Sequence, residues 1–163
     1  MAIDRTVLHS YHFGLHFLKD LLQDIPEDKL THQPHPGMNH PVWILGHLVS
    51  TMGFASMLAG ASYQPPQGYQ ELFGMKSEPV DDPGQYPVLS DLLMELDKAV
   101  VEVAPALTNI GGEALQSHMP EEGLRDLLPT VGDGLTFILN GHLWMHIGQL
   151  SAWRRACGMP AKF

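Results

Sequence analysis

The stretch Asn140–Trp153, NGHLWMHIGQLSAW, decides how this chain folds. It carries His142 and His146 four residues apart, a spacing that stacks two side chains one helical turn apart on one face. Turning about 100° per residue along the same helix brings Leu135, Ile138, Leu139, Gln149, Leu150 and Trp153 within about a quarter-turn of them. The two histidines therefore stand in the middle of an apolar stripe. A buried imidazole without a partner is costly, so something must satisfy both.

Outward from there, PVWILGHLVSTMGFASML (Pro41–Leu58) answers to the same test. His47 shares its face with Trp43, Ile44, Thr51, Phe54 and Leu58. Two separate helices thus aim histidine into one core. Three neutral imidazoles converging in this way suit a divalent metal that keeps an open position. The alternative for each is a core histidine bonded to a buried carbonyl or carboxylate. That reading serves one histidine better than three. Gln149, one turn beyond His146, is the candidate catalytic side chain, placed to position a ligand or a metal-bound water. Its alternative is a bond to the backbone. Trp43 and Trp153 read as core aromatics.

The remaining elements follow from apolar spacing. Residues 2–24 form a first helix with Val7, Tyr11, Leu15, Leu18 and Leu22 on one side. His12 and His16 are a rival i,i+4 pair there, but His16 lies opposite the stripe and His12 on its flank. Residues 25–40 form a loop holding His32, His35 and His40; such histidines are usually solvated, and His40 could flank the mouth of the site. The second helix starts at Pro41 and runs to about Ala61. Residues 62–88 form a long Pro- and Gly-rich crossover. Residues 89–109 form a third helix, capped by Ser90, paired internally between Glu95 and Lys98, and distorted near its end by Pro105. Residues 110–130 are irregular, with His118 exposed. The fourth helix starts near Thr130 or Asp133 and ends by Gly158, with Arg154 and Arg155 facing its negative pole. Phe137 and Trp144 turn away from the metal face, beside Gly141 and Gly148, as a candidate dimer contact.

The chain has 163 residues, a net charge of −9 and one cysteine, Cys157. That length suits one domain, residues 1–163, with a core of its own. The charge argues against nucleic acid and against anionic membrane, and no internal disulfide can form. The N-terminus lacks a signal peptide, and no apolar run is read as long enough to span a bilayer, so a cytoplasmic location is expected.

Three motifs in order, WILGHLV, the crossover containing YQELFGM and DDPGQYPVLSDLL, and HLWMHIGQLSAWRRACGMP, resemble the DinB/YfiT-like superfamily across nearly the whole chain. The resemblance implies an all-α four-helix bundle wired up-down-down-up, with a long crossover between helices two and three. It also implies a divalent metal, zinc or nickel, held by His47, His142 and His146. A low-molecular-weight thiol such as bacillithiol or mycothiol is an implied co-substrate. The expected protein is a metal-dependent transferase, isomerase or hydrolase acting on a small molecule, and a homodimer. The alternative is a non-catalytic bundle that binds metal or a small ligand.

Overall fold

The computed structural model describes residues 3–162. Among them the regular structure is helical, with one isolated bridge between His118 and Thr130. The elements are α1 (Arg5–Leu22), α2 (Pro41–Ala59), α3 (Tyr69–Phe73), α4 (Leu89–Asn109), α5 (Gly112–Gln116), α6 (Val131–Thr136), a π-helical turn (Phe137–His142) and α7 (Leu143–Ala156). Four long elements, α1, α2, α4 and the continuous α6–π–α7 run, make the all-α body.

Helix α2 is the axis. It packs on α4, α3, α6 and α7, while α1 lies against α7 and the π turn. Fourteen of its nineteen residues are buried, so it is apolar all round rather than on one stripe. By length and a mean hydropathy of 1.5 it is long and apolar enough to cross a membrane, contrary to the expectation that no such run exists. Its position explains the composition, because 72% of that window is buried within the fold. Pro41 occupies its first turn, and Gly60, at φ 72°, closes it in the left-handed region that glycine tolerates.

Helix α4 spans the residues expected of it. Leu92, Leu96, Ala99, Val103 and Leu107 face inward, each large aliphatic chain contributing about 1.5–3 kcal/mol. Glu95 accepts from Lys98 at 3.1 Å. One detail differs. The N-cap is Val88 and not Ser90, because Leu89 packs on the core and draws the helix start ahead of the serine. Pro105 lies inside the helix, which runs to Asn109 as expected. Helix α1 begins at Arg5 behind an Asp4 cap; residue 2, the expected start, lies outside the described residues.

The last helix opens on a capping box, in which Thr130 and Asp133 bond reciprocally. It ends on Gly158, whose φ of +74° lets Met159 N–H reach the Arg154 carbonyl at 2.9 Å. Arg154 does more than face the helix dipole. It is 1% exposed, and its guanidinium donates to Leu21 O at 2.8 Å and to the Asp24 carboxylate at 2.6 and 3.1 Å. This clasp fixes the end of α1 to the end of α7.

Candidate metal centre

His47 comes from the middle of α2, and His142 and His146 straddle the junction of the π turn with α7. They are 6%, 8% and 3% exposed. His142 Nε2 lies 3.1 Å from His47 Nε2 and 3.2 Å from His146 Nε2. Ligand nitrogens around an ion with bonds of about 2.0–2.1 Å stand about 3.3 Å apart in a tetrahedron and about 2.9 Å apart on an octahedral face. The observed separations fall between the two, and the three histidines could hold a metal ion.

Which nitrogen carries the proton is set from behind. His47 Nδ1–H donates to the Phe73 carbonyl at 2.5 Å, and His146 Nδ1–H donates to Gln149 Oε1 at 2.9 Å. Both rings must then turn bare Nε2 lone pairs inward. His142 Nδ1 is buried with no hydrogen-bond partner. One hydrogen at most, that of His142, is left to mediate among three inward nitrogens. A cation satisfies all three at once, so the donor set fits a metal. Burial holds all three rings neutral: His142 is lowered to about 3 and His146 to about 4, with the neighbouring imidazoles adding repulsion, and His47 is lowered as well.

The supports come from segments that read as irregular. Helix α3, inside the long crossover, docks its Phe73 ring on Gly46, where an added Cβ would lie 2.4 Å from the ring. That contact brings the Phe73 carbonyl to His47. Trp43 stacks on His47, with ring planes 7° apart, and its indole N–H donates to Ser77 of the crossover at 3.0 Å. Gln149 lies behind His146 and also accepts from Asn39 at 3.1 Å. His40 is fully buried rather than solvated. It caps α2 by accepting from Trp43 N–H at 3.1 Å and donates to the Val80 carbonyl at 3.1 Å. Burial lowers it to about 4. The α2 terminus supplies this reason, since a neutral imidazole can satisfy one of its free N–H groups. His12, His16, His32, His35 and His118 are exposed.

His47 and His142 open on a cavity of about 380 Å³. Phe137 lines it and packs edge-on against His142 at 5.7 Å. The expectation that Phe137 turns away from this face is corrected by the π turn. An i,i+5 pair lies about 140° apart in an α-helix but falls on one face where the backbone bonds run i to i+5, as an i,i+4 pair does in an α-helix. Trp144 does turn away, packing on Phe13 and Phe17.

Compared with curated proteins, the chain has no match. The family model for the DinB superfamily matches residues 12–150, a span that holds all three converging histidines and the crossover that supports them, and the chain belongs to that superfamily.

Proposed function

We propose that the chain is a divalent-metal-dependent enzyme of the cytoplasm, acting on a small molecule as a transferase, isomerase or hydrolase. His47, His142 and His146 hold the ion, zinc or nickel, and leave a position facing the cavity. The observation that carries this reading is the convergence of three buried Nε2 atoms, two with tautomers fixed from behind, beside an apolar cavity that His47 and His142 line. The ion's contribution is to acidify a thiol or water in the open position, giving a nucleophile at neutral pH. The chain's own part is orientation and exclusion of water. Phe73 and Gln149 aim two imidazoles, Trp43 stacks against His47, and the cavity walls keep the reacting atoms dry. Two copies pair through the face that carries Trp144, where the exposed Phe13 packs beside it and takes the place expected of Phe137, which lines the cavity.

The test is cobalt substitution followed by titration with a small thiol. A sulfur-to-cobalt absorption that saturates at one thiol per ion is expected. A cobalt spectrum indifferent to thiol and to other exchangeable ligands would move the assignment to a non-catalytic metal-binding bundle. One feature favours that second reading: among the described residues lining the cavity, the only carboxylate is Glu121, exposed at the rim.

A further inference from the structure

The cavity over His47 and His142 has walls of one character and a rim of another. Phe54, Leu124, Leu128, Phe137, Ile138 and Met75 supply apolar surface. The hydroxyls that reach it have already spent their hydrogens: Thr51 donates to the His47 carbonyl at 2.8 Å and Ser50 to Gln70 Oε1 at 3.1 Å. What they leave is lone pairs. Among the described lining residues none is Lys or Arg, and Glu121 is the one charged side chain. Arg125, in the same loop as Glu121, is occupied elsewhere. It donates to the Met119 carbonyl at 2.6 Å, the Pro120 carbonyl at 3.2 Å and Glu122 at 3.3 Å.

A carboxylate, phosphate or sulfonate entering these walls would lose water and meet no cation in them. A hydroxyl loses far less, and an ammonium is drawn to Glu121. At about 380 Å³ the space is that of a small-molecule site. We propose that the cavity takes a substrate with an apolar body and no negative charge beyond the atom bound at the metal, its cationic or hydroxyl-bearing end lying toward Glu121. This rests on the metal reading only for the place of the reacting atom; the preference of the walls stands by itself. A thiol bearing several carboxylates is excluded by the same walls.

Two dyes with one aromatic body test it: neutral N-phenyl-1-naphthylamine and its sulfonate, 1-anilinonaphthalene-8-sulfonate. Each is titrated by fluorescence into the full chain as purified, with metal content measured on the same sample. The neutral dye is expected to bind at least about tenfold more tightly, since an uncompensated buried charge loses no less. Leu128→Lys and, independently, Glu121→Lys should narrow or invert that ratio; Glu121 is exposed, so its variant folds even where the other does not. Equal or tighter binding of the sulfonate by the unaltered chain, no saturable binding of the neutral dye, or a ratio indifferent to Glu121→Lys would overturn the proposal. A sample that keeps the preference but takes up no added zinc or nickel counts against the metal reading alone. A metal-loaded sample without the preference counts against the walls alone.

Discussion

Two histidine pairs in this chain have the same spacing and opposite fates. His12 and His16 stand four apart on α1 and are exposed. His142 and His146 stand four apart in the last helix, are buried, and converge with His47, the Nε2 of His142 lying 3.1 Å from that of His47 and 3.2 Å from that of His146. Spacing makes a pair available to an ion in either place. What distinguishes the second is its register with the apolar stripe, which carries it inside to a third imidazole, and the acceptors that set two of the three tautomers. A ligand set is therefore a property of faces and supports more than of sequence intervals.

That contrast can be broken in several ways. Replacing any one of His47, His142 or His146 by Ala should weaken divalent-metal affinity by more than about a hundredfold, beyond the loss expected of any supporting residue. The double variant His12→Ala, His16→Ala should leave it unchanged; chelator competition reads both. Gln149→Ala removes the acceptor behind His146 and should cost about 10–100-fold in the same assay, with little change in thermal stability. Gly46→Ala forces the Phe73 ring off α2 and should cost about 1–3 kcal/mol by denaturant unfolding, with metal affinity falling alongside because the carbonyl leaves His47.

The smallest effect sharpens the contrast with a histidine buried for another purpose. His40, lowered to about 4 by burial, is neutral in the fold and protonates more readily when unfolded, where it titrates near its ordinary value of 6.5. The unfolded chain thus binds more protons between those values. The cap's contribution is complete above pH 6.5 and falls as pH drops toward 4. His40→Asn keeps a capping side chain and should flatten that part of the melting-temperature profile, an effect on the order of 1 kcal/mol.

Much of the bundle was legible because its helices carry one-sided apolar spacing. Helix α4 is the clearest case, with Leu92, Leu96, Val103 and Leu107 setting both length and face. The three converging histidines were legible because each stands among apolar residues, His47 in a helix buried nearly all round. Three things were not. The π turn shifts the helical phase by a residue, which hid Phe137 from the cavity. His40 carries no periodicity, and only the free N–H groups of the first turn that Pro41 opens could have marked it as a cap. The Phe73 carbonyl is a backbone group in a five-residue helix within a crossover, and a carbonyl has no letter of its own. Gly46 beside His47 was the available hint that another segment comes close.

X-ray absorption on the metal-bearing chain addresses the central claim most directly, because it counts the atoms around the ion. The account predicts three imidazole nitrogens at about 2.0–2.1 Å and at least one exchangeable light atom or sulfur, all lost in the variant with Ala at 47, 142 and 146. A spectrum without imidazole scattering, or one that the triple variant reproduces, would contradict it.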